Sequence, residues 1–169
     1  MNQLLSIILA ITLLVVSVSV ATAQDFFKGL QASRAGDFQT ALQEWRPLAE
    51  RGESDAQYNL GLMYSNGQGV LQDDAEAVRW YRLSAEQGFA PAQFNLGVRY
   101  NNGQGVPQDD TEAVKWWRLA AEQGNASAQN NLAVKYEFGG GRSSEQCHGS
   151  HVVQHRLGQW PSYVRRGAG

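Results

Sequence analysis

The apolar positions of residues 54–89 predict two amphipathic helices joined by a polar loop. The first helix carries small and apolar residues on one face, at a spacing of i, i+4, i+5 and i+8: Ala56, Leu60, Gly61 and Tyr64. An Asn-Gly-Gln-Gly segment at 66–69 then interrupts the helical pattern. In the second helix, the residues predicted to form the buried face are Ala77, Trp80, Tyr81 and Ala85.

Acidic residues and a glycine predict the ends of the second helix. Asp73 is expected to cap the helix, with Glu76 three residues further on as in a capping box. Gly88 suits the left-handed conformation that closes a helix. The paired carboxylates Asp73-Asp74 and Asp109-Asp110 have the chemistry to bind Ca²⁺ or to act as acid and base, but a helix start explains them more simply.

The same pattern recurs with a period of 36 residues. Residues 56–91 and 92–127 are identical at 25 of 36 positions without gaps, and a third copy starts at Ala128. A divergent earlier copy precedes them. A fixed period of this length predicts a solenoid in which neighbouring repeats share a core. We therefore assign Trp80, Trp116 and Trp117 to that core rather than to a stacking platform for sugars or bases.

The repeat pattern resembles a known family. Both complete copies carry A-x-x-x-L-G-x-x-Y-x-x-G-x-G-V, which is similar to the Sel-one-like repeat (SLR), a relative of the tetratricopeptide repeat. The resemblance is close over 54–141 and loose over 26–53. It implies an all-α, right-handed superhelical solenoid of antiparallel helix pairs with a concave binding face, and a role as an adaptor or scaffold. Some exported members brace each repeat with a Cys pair, which these repeats lack.

The first residues have the properties of an export signal. Residues 4–20 carry no charge, and Ala21-Thr22-Ala23 matches the small-x-small pattern that signal peptidase recognises. We predict a signal peptide over 1–23, and hence an exported bacterial protein in the periplasm or outside the cell. A retained membrane anchor is the alternative. The lack of Lys or Arg before the apolar run weighs against the signal, and the lack of either directly after it weighs against the anchor.

The remaining chain divides according to the repeats. We predict a divergent first helix pair at 24–53, repeats at 54–89 and 90–125, the first helix of an incomplete repeat at 126–141, and a disordered tail at 142–169. The unpaired last helix is expected to expose Leu132, Val134 and Tyr136, which favours aggregation.

The tail lacks the second helix that the period requires, and we interpret it as the product of a frameshift near codons 140–142. Reading the codons one base further along can restore the repeat pattern. The codons of Trp160 and Pro161 then give Gly, 36 residues after Gly124. The nucleotide sequence of the gene tests this interpretation.

The tail also contains the residue types of a metal site, at Cys147, His148, His151 and His155. Nothing in the pattern predicts a frame that would orient these ligands, so we expect no metal.

Composition narrows the chemistry of the repeats. The net charge of −2 is the sum of 0 for 1–23, −5 for 24–138 and +3 for 139–169, which disfavours a nucleic-acid binder. Residues 24–141 hold no His and no Cys, so a Ser-His-Asp or Cys-His catalytic set is excluded there. No phosphate-binding loop motif is present. We expect no cofactor and no enzymatic activity.

The candidate partner-binding residues lie on the first helix of each repeat. Three Asn residues recur just before the repeat Leu, at the position where tetratricopeptide repeats often contact a ligand: Asn59, Asn95 and Asn131. The residues before them vary, as at a specificity position: Tyr58, Phe94 and Asn130. Arg99 and Lys135 have the charge to meet an acidic partner. The alternative is that the Asn side chains bond only to loop backbone between repeats.

Together these features favour a non-enzymatic scaffold of the cell envelope or the exterior. Its concave face would bind a peptide or partner protein. The protein would contact the membrane only during export, through its signal peptide. Two alternatives remain: an envelope-associated hydrolase acting on cell-wall material, and a truncated product without function.

Overall fold

The computed structural model describes residues 24–139, which form seven α-helices and no strand. The helices are α1 (24–34), α2 (Phe38–Glu50), α3 (Ser54–Asn66), α4 (Asp74–Glu86), α5 (Ala90–Asn102), α6 (Asp110–Glu122) and α7 (Ala126–Gly139). The all-α prediction is confirmed. None of these helices is long and apolar enough to cross a membrane. The predicted signal peptide and the tail, with its Cys and His residues, lie outside the described residues.

The predicted cap and the predicted closing glycine of α4 are both present at its ends. The Asp73 carboxylate accepts hydrogen bonds from the backbone N–H groups of Ala75 and Glu76, at 2.9 and 3.0 Å. Asp109 caps α6 in the same way. The prediction that Glu76 completes a capping box was wrong, because its carboxylate accepts from the Arg79 guanidinium and the Asp73 N–H donates to the Tyr64 backbone oxygen at 3.0 Å. Gly88, just beyond α4, has a φ of 90°, as its predicted role in closing the helix requires.

Each core cluster is built from more than one helix pair. The predicted face of α4 is buried, since Ala77, Trp80, Tyr81 and Ala85 are all 5% exposed or less. Tyr81 shares a cluster with Leu96 of α5 and Trp116 of α6. Because burial depends on the neighbouring pair, the helices stack as a solenoid.

Close helix contact depends on glycine at one position of the first helix. A Cβ built on Gly61 would lie 2.6 Å from the Tyr81 ring, and one on Gly97 would lie 2.5 Å from the Trp117 ring. Glycine at these two positions thus allows the two helices of each repeat to approach closely.

The loop glycines pack against the preceding repeat. A Cβ on Gly105 would lie 2.1 Å from the backbone oxygen of Asp74, so the loop before α6 lies directly on the start of α4. A Cβ on Gly69 would lie 2.9 Å from the backbone oxygen of Phe38, at the start of α2. These glycines therefore provide space between repeats as well as a positive φ.

The last described helix is partly covered. Leu132 is only 6% exposed because it packs with Ala113 and Trp117 of α6, so the prediction that it is exposed was wrong. Val134 and Tyr136 are 55% and 57% exposed, as predicted. The stacking contact with α6 accounts for the difference, because it covers one face of α7.

Candidate functional site

The first helices of successive repeats present an amide row, which we define as Asn59, Asn95 and Asn131. The three side chains occur at the same position of α3, α5 and α7, and all three are half-buried. Side-chain contacts from α3 to α5 and from α5 to α7 show that these helices are neighbours. Sequence and structure together therefore place an amide at the same register on three adjacent helices.

The Asn95 side chain interacts with two tyrosines of the preceding repeat. The Asn95 side chain interacts with Tyr58 and Tyr81, and this interaction partly offsets the effect of burial on the pKa of both tyrosines. Burial raises the pKa of Tyr58 and of Tyr81 because it disfavours the phenolate. Asn95 thus has a structural partner, whereas its ligand-binding role stays a prediction.

The position before each amide packs between repeats. The Tyr58 ring lies 5.3 Å from the Phe89 ring and 6.0 Å from the Tyr81 ring, centroid to centroid. Phe94 packs against the cluster that contains Ala128 and Leu132. Asn130 on α7, the last helix described, is exposed. Packing against the following helix therefore explains the aromatic residues at 58 and 94.

Both basic residues proposed to meet an acidic partner form inter-repeat ion pairs. The Arg99 guanidinium donates to the Asp74 carboxylate at 2.6 Å and also to the Ser65 hydroxyl. The Arg99 side chain is only 12% exposed. The charge of Arg99 is thus already partnered within the chain.

Lys135 repeats this arrangement one period later. Its ammonium donates to the Asp110 carboxylate at 2.7 Å and to the Asn101 side chain at 3.0 Å. Asp110 and Asn101 stand 36 residues after Asp74 and Ser65. We call the Arg99–Asp74 and Lys135–Asp110 contacts the two inter-repeat ion pairs.

An apolar column accompanies the amide row. It consists of Leu62, Val98 and Val134, each three residues after an amide and therefore on the adjoining part of the helix surface. Leu62 and Val98 are half-buried, and Val134 is exposed. Amide and aliphatic groups thus adjoin on the three helices, most of them half-buried and Val134 exposed.

A glutamine network joins the repeats and was not predicted from the sequence. The buried Gln57 and Gln93 donate to the backbone oxygens of Ala49 and Ala85, at 3.0 and 3.1 Å. Their own oxygens accept from two other amides, Gln87 and Gln123. Gln129 donates to the Ala121 oxygen at 3.2 Å. The sequence contains a pattern that indicates this network, because Ala-Gln begins all three copies of the repeat.

A second missed contact joins an arginine to the repeat tyrosine. Arginine at one position of α2, α4 and α6 donates to the hydroxyl of the tyrosine 18 residues later: Arg46–Tyr64, Arg82–Tyr100 and Arg118–Tyr136. The sequence contains a pattern that indicates this contact, because the arginine and the tyrosine both recur every 36 residues. In the part of the chain that the structure describes, no group of three His, Cys, Asp or Glu residues is arranged to hold a metal ion.

Comparison with known families identifies the repeat. The Sel1 repeat model matches residues 54–89, 90–125 and 126–146, which together make up more than half of the chain. The chain belongs to the Sel1 repeat family. Sel1 repeat proteins are protein-interaction scaffolds that commonly bind protein partners. The predicted family and fold are therefore confirmed.

Two solved structures share both fold and sequence with this Sel1 repeat chain. The c5321 antigen of uropathogenic Escherichia coli, which has an SLR fold, is 42% identical with a TM-score of 0.67, over 70% of this chain and 26% of that one. A Sel1 repeat protein from Oxalobacter formigenes is 36% identical with a TM-score of 0.65, over 68% and 47%. Helicobacter pylori cysteine rich protein B, 19% identical with a TM-score of 0.53 over 66% and 95%, shares the fold.

Curated relatives match over a shorter stretch. The exopolysaccharide production negative regulator of Rhizobium leguminosarum bv. viciae is 40% identical over 58 residues, 34% of this chain and 22% of the relative. DAP3-binding cell death enhancer 1 of Rattus norvegicus is 40% identical over 60 residues, 36% of this chain and 12% of the relative. The chain thus matches only a minor part of the length of either relative.

Proposed function

We propose that this Sel1 repeat chain is a non-enzymatic scaffold that binds a protein partner in the groove across α3, α5 and α7. The observation that carries the proposal is the amide row beside the apolar column, at one register on three neighbouring helices. Amides bond to polar backbone groups, and aliphatic side chains contact apolar ones. A peptide or partner segment lying across the three helices would meet the same pair of groups at each repeat.

We further propose that the protein acts in the bacterial cell envelope or outside the cell. The uncharged run of residues 4–20 and the small residues that follow it support export. Fractionation of cells that express the full gene tests this proposal. Recovery of the chain in the periplasm or medium, shortened by its first 23 residues, is expected. Recovery of the intact chain in the cytoplasm would contradict it.

The binding test uses a double variant, Asn59→Ala with Asn131→Ala. Neither substitution removes the Asn95 contact with the tyrosines, so helicity and melting temperature should stay close to those of the parent. Capture of partner proteins from envelope extract should fall sharply, since each lost hydrogen bond is worth about 0.5–1.5 kcal/mol.

A matched control variant changes two residues on another part of the solenoid. Glu86→Ala with Glu122→Ala alters exposed side chains at the ends of α4 and α6. This control should retain capture. Equal loss in both variants, or loss of helicity in the amide variant alone, would contradict the groove as the binding site.

A further inference from the structure

The helices α2, α4 and α6 present a surface that the proposed groove does not use. Each carries an arginine, an apolar residue and a glutamate at the same three positions of the 36-residue period. We define the second-helix face by these residues: Arg46, Arg82 and Arg118; Pro47, Leu83 and Leu119; Glu50, Glu86 and Glu122. All of them are exposed except Arg82, which is half-buried. Leu83 and Leu119 are 37% and 38% exposed, so the face offers apolar as well as charged surface.

The charged groups of this face are not paired with one another. Among the side chains that the structure describes, none of these arginines and glutamates takes part in an ion pair, although each arginine lies one helical turn before a glutamate. Each guanidinium donates instead to a tyrosine hydroxyl of the next repeat, and it has further N–H groups to donate. The arginines are thereby held in position without being neutralised.

Two of the glutamates lie where a negative charge is least favourable. Glu86 and Glu122 are the last residues of α4 and α6, and the macrodipole favours cations at this end of a helix. No basic residue lies in the last turn of either helix. A cation supplied by another molecule would therefore be favoured beside each of these carboxylates.

The order of the charged rows decides between possible partners. A polyanion that met the arginine row would also meet the glutamate row beside it, and a polycation would meet the same conflict in reverse. A well-matched partner carries both charges in the opposite order. A second copy of the chain does so when a two-fold axis runs along the rows, because Arg82 then lies opposite the partner's Glu86 and the two α4 helices are antiparallel.

The apolar residues occupy the centre of such a contact. Leu83 lies between Arg82 and Glu86 along α4, one residue from their midpoint, so the two copies of Leu83 would be offset by only about 3 Å along the helix axis. Leu119 has the same position on α6. Burial of these leucines between the copies favours association, and the charge pairs on either side fix its register.

We propose that the second-helix face binds a second copy of this chain in a two-fold dimer, with the arginine row of each copy on the glutamate row of the other. Such a contact uses the same patch on both copies and therefore closes at two. The amide row lies on the first helices and takes no part, so a monomeric variant should still capture partner proteins.

Charge reversal followed by mixing tests the proposal. One variant is Glu86→Arg with Glu122→Arg, and the other is Arg82→Glu with Arg118→Glu. Sedimentation velocity of the full chain should show a dimer for the parent. Each variant alone should associate at least about fourfold more weakly, because two-fold symmetry removes four ion pairs that are each worth about 1.4-fold to fivefold. An equimolar mixture of the two should restore the dimer.

The two charge variants also control for net charge, because they change it by the same amount in opposite directions. Loss of the dimer in both therefore reflects the pairing of the rows. Circular dichroism establishes that each variant is folded before association is compared. A parent chain that stays monomeric up to its solubility limit, or folded variants that fail to associate when mixed, would overturn the proposal.

A disulfide test does not depend on the folding of the charge variants. In a Cys147→Ser background, Leu83→Cys should form a disulfide between two copies on oxidation, because the two-fold axis brings the two positions within reach of each other. The matched control is Leu71→Cys, since Leu71 is 91% exposed but precedes the start of α4. Cross-linking of Leu71→Cys as fast as that of Leu83→Cys would indicate random collision and would overturn the proposal.

Discussion

The contact between Gly97 and Trp117 provides a quantitative test of how the helix pairs pack. In Gly97→Ala, the new Cβ would lie 2.5 Å from Cδ1 and 2.6 Å from Nε1 of the Trp117 ring, and 3.1 Å from the Ala113 backbone oxygen. The ring is only 3% exposed, so it has little room to move. Moving it also strains the hydrogen bond from Trp117 Nε1 to the Phe94 backbone oxygen, at 3.2 Å.

Three terms set the expected size of the effect. Overpacking costs about 1–3 kcal/mol, and the weakened hydrogen bond costs about 1 kcal/mol. Replacing Gly by Ala inside a helix raises the free energy of unfolding by about 1 kcal/mol. Gly97→Ala should therefore lower the free energy of unfolding by roughly 1–3 kcal/mol, measured by urea denaturation of the full chain followed by circular dichroism.

A second background isolates the steric term. In Trp117→Ala, the ring that opposes the new methyl group is absent, so Gly97→Ala should there stabilise the fold by up to about 1 kcal/mol. The reversal of sign between backgrounds is the expected result of the double-mutant cycle. Equal destabilisation in both backgrounds would refute the assignment of Gly97 to close contact with Trp117.

Three further predictions concern polar groups. Asp109→Ala should lower the free energy of unfolding by about 1 kcal/mol through loss of the α6 cap, whereas Asp109→Asn should change it little; a melting temperature that is the same for both would argue against capping. Gln93→Ala should lower the free energy of unfolding by about 2 kcal/mol, because it removes two hydrogen bonds and leaves the Ala85 oxygen without its side-chain donor. If urea denaturation shows a decrease no larger than that for an exposed glutamine replaced by alanine, the network is contradicted. Burial raises the pKa of Tyr81 above its ordinary value of 10.0, so the free energy gained by keeping the phenol neutral is present below pH 10.0 and is lost as the pH rises through the folded pKa. Phenolate absorbance should therefore develop together with unfolding. Tyr81→Phe should reduce the loss of stability at alkaline pH.

The sequence predicted what depends on local periodicity. The buried face of α4, its Asp73 cap and the closing Gly88 all follow from the identity and spacing of nearby residues. The burial of Leu132 was not predicted because it comes from packing against α6, and a helical wheel of α7 alone does not show that contact. The exposure of a terminal helix depends on which of its faces the preceding repeat covers.

The candidate site could be predicted only in part, because its charges are set by contacts across repeats. The register of the amide row follows from the repeat. The partnering of Arg99 by Asp74, 25 residues earlier, does not, since it depends on how far α5 lies from the start of α4. The sequence therefore led us to interpret Arg99 as free to bind a ligand, whereas in the fold it already forms an ion pair with Asp74.

The two inter-repeat ion pairs occupy a position that contributes to packing in each repeat. Met63 occupies the equivalent position in α3, where it is buried at 2% exposure, so the same site is an apolar contact in one repeat and an ion pair in the next two. In each case the side chain faces the preceding repeat, and its role in stacking is conserved while its chemistry changes. Because Arg99 and Lys135 are both paired in stacking contacts, the partner that we propose would meet mainly amide and aliphatic side chains on these helices.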